Sequence, residues 1–319
     1  MKGDKLRFGI QIGNYVGFDY STIEKLALNA EKLGFDSVWI SDHFFYDDNP
    51  ETRICLEAWT VLAALASKTH SVRLGTLVTC NSFRYPTVLA KMAATVDVIS
   101  NGRLEFGIGA GWKENEHIAY GIPFPSVVER LERLEESIQI IKKLWTDSRV
   151  TFKGKYYRVK DAYSTPKPVQ KLPPIFIGGH GKQRTLRIVA EYGDYCNFTH
   201  SASLKEITEL LDVLRMHCKT VSREYDDIGK SYFAYVLIGE TQHEFEQLMK
   251  RMAKAWGVRV SEFKKQHLTS AFSGTPDAIQ AKFQELIDLG FDYFQIQFPY
   301  PEDYSQSEAF ADLVLNELK

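Results

Sequence analysis

The stretch Val38-Trp-Ile-Ser-Asp-His-Phe-Phe45 places an acid and an imidazole directly after an apolar run and follows them with two phenylalanines. Val38–Ile40 reads as the end of a buried strand, so Asp42 and His43 should sit at a strand mouth. Three kinds of chemistry suit them. They could ligate a metal, but a catalytic metal needs about three protein ligands, and no H-x-H or H-E-x-x-H accompanies them. They could cap the next helix. Or His43, whose ordinary titration range lies near neutrality, could move a proton beside a redox group. No metal is expected.

Two glycine-rich stretches are the other candidates. Ile175-Phe-Ile-Gly178-Gly179-His180-Gly181-Lys-Gln-Arg184 follows an apolar strand and precedes a helix expected from about Lys182. Glycines there let backbone N–H groups approach an anion, and the helix N-terminus favours negative charge. A ligand-free tight turn is the plain alternative. Leu104-Glu-Phe-Gly-Ile-Gly109-Ala-Gly111-Trp112 is G-x-G-x-G and not the dinucleotide G-x-G-x-x-G, and it does not open the chain. It reads either as close approach of backbone to a flat ring or as a structural turn.

These residues need a scaffold that gathers strand ends. Leu6–Ile12, Ser37–Ser41, Val72–Val78 and Leu104–Ile108 read as strands. Ser21–Leu33, Glu57–Lys68 and a helix opened by Pro86 and running to Ile99 alternate with them. Lys32–Ser41 (KLGFDSVWIS), Glu191–Phe198 (EYGDYCNF) and Asp288–Phe298 (DLGFDYFQIQF) share one helix–Gly–Asp–strand plan. With strands near 6, 37, 72, 104, 175, 195, 232 and 293, the expectation is an α/β fold, a (β/α)8 TIM barrel spanning 1–319 as one domain. A doubly wound sheet is the runner-up. An insertion at about 147–174 should hold a hairpin turning at Lys153-Gly154-Lys155, and 256–274 reads as an irregular crossover.

In such a barrel the site lies at the strand C-termini. That end gathers Tyr15, Asp42, His43, Thr79, Ala110, Gly111, Trp112, Glu116, His117, Gly178–Gly181, Thr199, His200, Pro299 and Tyr300. The rim is rich in glycine, histidine and aromatics and suits a flat aromatic ligand with a phosphate.

Composition excludes other classes. The 319 residues carry a formal charge of −2, with 44% hydrophobic residues and no long like-charge block, so no nucleic-acid surface is expected. Cys55, Cys80, Cys196 and Cys218 form no C-x-x-C pair, which fits a reduced, cytoplasmic location. The N-terminus lacks the apolar run of a secretory signal, and no membrane span is expected.

Taken together, Ser41–Phe44 (SDHF), Leu74–Trp112, Gly121–Pro125 (GIPFP), the Phe152–Tyr157 hairpin and Pro174–Gly181 (PIFIGGHG) resemble the luciferase-like monooxygenase superfamily, in its F420-dependent branch. The resemblance implies a luciferase-like (β/α)8 barrel, a homodimer, and FMN or coenzyme F420 at the strand C-termini. It implies an F420-dependent oxidoreductase moving a hydride between the coenzyme and a small organic substrate. An FMN-dependent monooxygenase using O2 and a non-catalytic flavin- or deazaflavin-binding protein are the alternatives. By position, Asp42 and His43 inherit the place against the ring and the catalytic role, and Leu77-Val78 falls at a non-proline cis peptide. Thr79, Ala110, Gly111 and Trp112 align with ring or ribityl contacts, and Gly178, Gly179, His180 and Gly181 with the phosphate loop. Tyr15, Phe44, Trp112 and Thr199 fall on the substrate side. Sugar-phosphate-oxidising members carry acids where Trp112 and Tyr15 stand, and their phosphate-gripping basic residues have no match here. That departure implies a more apolar pocket walled by Tyr15, Phe44 and Trp112.

Overall fold

The computed structural model describes residues 6–45, 51–199, 202–255, 257–269, 271–298 and 304–319. Eight parallel strands close on one another: β1 Arg7–Ile12, β2 Ser37–Ile40, β3 Arg73–Thr76, β4 Leu104–Gly109, β5 Ile175–Gly178, β6 Tyr195–Thr199, β7 Gly229–Ile238 and β8 Tyr293–Gln297. The ring shuts because β8 pairs with both β7 and β1, with Phe8 opposite Phe294 and Ile10 opposite Ile296. This is a (β/α)8 barrel, and the doubly wound alternative falls.

The junctions follow local chemistry. Helix α1, Tyr20–Lys32, starts where the Asp19 carboxylate accepts from the Thr22 amide, and it turns Ile23, Leu26, Ala27 and Ala30 to the core. It ends at Gly34, whose φ of +81° suits the C′ position. Helix α2, Ala58–Lys68, is capped by Glu57, and α3, Pro86–Ile99, has proline in its first turn. Two further helices, α4 (Glu114–Ala119) and α5 (Val127–Thr146), precede an antiparallel hairpin of Val150–Lys153 with Arg158–Ala162. The chain then enters β5, and α6 (Thr185–Tyr192) links β5 to β6.

Two details depart from the sequence reading. The third strand is interrupted after Thr76 and resumes as Thr79–Cys80 against Ile108 and Gly109. The 256–274 region holds a short strand, Phe272–Gly274, paired with the end of β7.

The N-terminal end of the barrel is plugged. Trp39, Phe176, Tyr195 and Tyr293 pack together inside it, and the Trp39 ring fills the space that Gly9 and Gly75 leave without side chains. Below them the buried Glu105 carboxylate accepts from Arg7 at 3.0 Å, Arg73 at 2.8 Å and the Tyr293 hydroxyl at 2.6 Å. The barrel opens instead at its opposite, C-terminal end, where a cavity lies. Among the described residues no helix is long and apolar enough to cross a membrane.

Candidate active site

At that end a single cavity of about 620 Å³ is lined from six strand ends. Tyr15 follows β1, Asp42 and His43 follow β2, and Leu77, Val78 and Thr79 follow β3. Ala110, Gly111 and Trp112 follow β4, Gly178–Gly181 close β5, and Thr199 ends β6. The Leu77–Val78 peptide bond is cis. Phe44, expected as a substrate wall, does not line the cavity. Its ring is stacked between Phe83 at 4.2 Å and Tyr120 at 4.3 Å, so it packs the outside of the strand tip. His200, Pro299 and Tyr300 lie outside the described residues.

Asp42 and His43 both line the cavity, but their side chains engage different partners. The Asp42 carboxylate turns to Arg84, which grips it with two hydrogen bonds of 2.6 and 2.9 Å, and it also accepts from the Cys80 amide at 2.9 Å. Arg84 reaches on to Glu57, the α2 cap. Asp42 thus ties the tips of β2 and of the resumed third strand together.

The carboxylate beside His43 is Glu116 on α4. His43 Nδ1 donates to Glu116 Oε2 at 2.9 Å, and Glu116 Oε1 accepts from the Phe44 amide at 2.7 Å and the Phe45 amide at 3.3 Å. Burial pushes the Glu116 carboxyl up. Hydrogen bonding and charge from His43, the Phe44 amide and Lys113 outweigh it and hold the group below its ordinary range. With Nδ1 engaged by an ionised carboxylate, Nε2 is the ring nitrogen left for a bound molecule. The edges of Tyr15 and Trp112 flank the imidazole, at 5.5 and 6.0 Å between ring centres.

His117, beside Glu116, is spent on structure. Its Nδ1 donates to the Lys113 carbonyl at 2.8 Å and its Nε2 accepts from Ser82 Oγ at 2.7 Å. Cys80 lies next to this pair, but burial pushes its thiol up to about 11, so it is no ready nucleophile.

The glycine stretches differ from each other. A Cβ at Gly107 would meet the Thr76 carbonyl, one at Gly109 would lie 2.9 Å from Val78, and one at Gly111 would lie 2.6 Å from the Cys80 sulfur. These glycines make room for neighbouring chain, and Gly109 and Gly111 also line the cavity. Gly178 likewise admits Val78, at 2.8 Å. At the second stretch Gly179 has a φ of +106°, and the helix begins at Thr185, three residues later than expected, with Arg184 as its N-cap and no side-chain cap hydrogen bond. The buried His180 Nδ1 there has no partner among the described residues.

Among the described residues no group of three or more His, Cys, Asp or Glu side chains could hold a metal ion. Sequence reasoning set Glu116 on the rim without a role and passed over Gln11. The Gln11 side chain lines the cavity with a buried, unpartnered Oε1. A carboxylate 73 residues from its histidine leaves no spacing signal.

A family model described as luciferase-like monooxygenase matches residues 6–293. The chain is 35% identical over 213 residues to the F420-dependent glucose-6-phosphate dehydrogenase of Amycolatopsis mediterranei (strain U-32), covering 64% of this chain and 61% of that one. It is 31% identical over 233 residues to the F420-dependent hydroxymycolic acid dehydrogenase of Mycobacterium tuberculosis (strain ATCC 25618 / H37Rv), covering 71% and 60%. The chain thus spans about three fifths of the length of these relatives. An F420-dependent secondary alcohol dehydrogenase, solved with an F420–acetone adduct, shares the fold with a TM-score of 0.82 at 22% identity over 98% of both chains.

Proposed function

This chain belongs to the luciferase-like monooxygenase family, and on that premise we propose that it is an oxidoreductase using coenzyme F420 on a small organic molecule. The observation that carries the reading is the shared cavity: His43, the Leu77–Val78 segment and the Gly178–Gly181 loop line the same space. The relatives named for F420 support the deazaflavin over FMN.

The residues fit the group. Gly109 and Gly178 let Val78 lie flush against the strand ends, which gives a flat wall for a ring. The Gly178–Gly181 loop and the start of α6 would receive the phosphate, and the unpartnered His180 Nδ1 offers it a hydrogen bond. When bound, the deazaflavin supplies two-electron hydride chemistry.

The chain's own part is positioning and proton handling. Glu116 fixes the His43 ring through Nδ1, so that Nε2 can take or give the proton that accompanies hydride transfer. The ionised Glu116 also stabilises the imidazolium formed when His43 accepts that proton. Asp42 and Arg84 hold the β2 tip that carries His43. The reading further takes the protein as a cytoplasmic homodimer.

Mass spectrometry of the cofactor released from protein made in a host that contains both F420 and FMN tests it. F420 is the expected species. Recovery of FMN alone would overturn the deazaflavin reading in favour of the FMN-dependent one.

A further inference from the structure

We infer that the substrate is an uncharged, mainly apolar alcohol or its carbonyl counterpart, held against Tyr15 and Trp112, and not a sugar phosphate. The inference rests on the F420 reading above and concerns the other occupant of the same cavity.

The first support is electrostatic. Among the described residues lining the cavity, Lys113 is the one Lys or Arg side chain, and it is only 8% exposed. Its ammonium is already committed, donating to the Phe45 carbonyl at 2.8 Å and lying 3.9 Å from Glu116. The other charges are matched within the protein: Asp42 by Arg84, and Glu116 by His43 and Lys113. Among the described lining residues, a phosphate brought beside His43 would find two carboxylates and no uncommitted Lys or Arg, so its desolvation would go uncompensated. The anion-suited loop at Gly178–Gly181 is where the coenzyme's own phosphate belongs.

The second support is the apolar surface around His43. The Trp112 indole is 72% exposed yet lines the cavity, with the Tyr15 ring on the same imidazole. A large aromatic face left in water beside a reactive group gains by being covered with apolar surface. Leu131, Val127 and Phe233 continue that character along the cavity wall.

The chemistry balances with these groups. In the oxidising direction the alcohol gives its O–H proton to His43 Nε2. Its carbinol C–H bond breaks, the electron pair leaving as hydride to the oxidised deazaflavin, and the C–O bond becomes C=O.

The test uses the F420-loaded protein with cyclohexanol, its ketone cyclohexanone, and glucose 6-phosphate. Coenzyme uptake is read by fluorescence titration, ketone and sugar-phosphate binding by calorimetry, and turnover by loss of the oxidised coenzyme's absorbance. We expect kcat/KM for cyclohexanol to exceed that for glucose 6-phosphate by about 100-fold or more. Cyclohexanone affinity should change little with ionic strength, since no charge pairing is involved. Tyr15→Ala and Trp112→Ala should each weaken cyclohexanone binding about tenfold. Uptake of F420 with glucose 6-phosphate bound or oxidised as well as the uncharged pair would overturn the inference alone. So would uptake of F420 with no cyclohexanone binding, or ketone affinity unmoved by both substitutions. A protein that takes up no F420 would overturn the functional reading and this inference together.

Discussion

His43 Nδ1 and Glu116 Oε2 stand 2.9 Å apart, although 73 residues separate them in the chain. The strand end supplies the imidazole and the helix after β4 supplies the carboxylate that aims it. Glu116 is thus a positioning residue, and its removal should damage turnover more than binding. Glu116→Gln should lower kcat by about 10- to 100-fold while the coenzyme dissociation constant stays within about threefold. Steady-state kinetics with parallel fluorescence titration checks this split. Equal losses in both would mean that Glu116 merely supports the fold.

Asp42 meets Arg84 through two hydrogen bonds in a largely buried setting. Breaking one partner leaves the guanidinium partly uncompensated. Asp42→Ala should therefore cost about 3 kcal/mol of folding stability, measured by denaturant unfolding. A loss of activity at unchanged stability would instead place Asp42 in direct contact with the chemistry.

Val78 occupies space that exists because residues 109 and 178 lack side chains. Gly178→Ala should displace Val78 and weaken coenzyme binding about tenfold or more. Adding Val78→Ala should restore part of that affinity, because the smaller side chain returns the missing room. A double variant no better than the single one would contradict this packing account.

Acid stability should report Glu31, whose carboxylate accepts from the His70 and Val72 amides and the Ser71 hydroxyl. Burial pushes its carboxyl up, but hydrogen bonds from Ser71, His70 and Val72 prevail and hold it at about 2, below the ordinary 4.5. A folded value below the unfolded one stabilises fully above pH 4.5 and fades as pH falls towards 2. Glu31→Ala should cost about 1 kcal/mol at neutral pH, a figure discounted for the group's exposure. The difference from the parent should shrink as pH is lowered through that window. A gap independent of pH would show that the carboxylate is not the stabilising element.

The barrel was legible because apolar strands, glycine-ended helices and repeated Gly-Asp junctions such as Lys32–Ser41 are local signals. Phe272–Gly274 escaped because a three-residue strand ending in glycine has no period to read. The start of α6 was placed early because a glycine run followed by Lys182 resembles a helix opening, yet the first turn waits for Thr185. At the site, strand-end residues were readable from topology alone. What each side chain faces was not, since that depends on pleat and on distant partners. Asp42 and His43 look like a pair in sequence but engage different partners, Arg84 and Glu116, and Phe44 stacks between Phe83 and Tyr120.

A crystal structure of the protein soaked with F420 tests the central claim most directly. The account predicts the deazaflavin ring against Leu77–Val78 with His43 at its reactive edge and the phosphate at Gly178–Gly181. Coenzyme density with the ring remote from His43, or with the phosphate away from that loop, would contradict it.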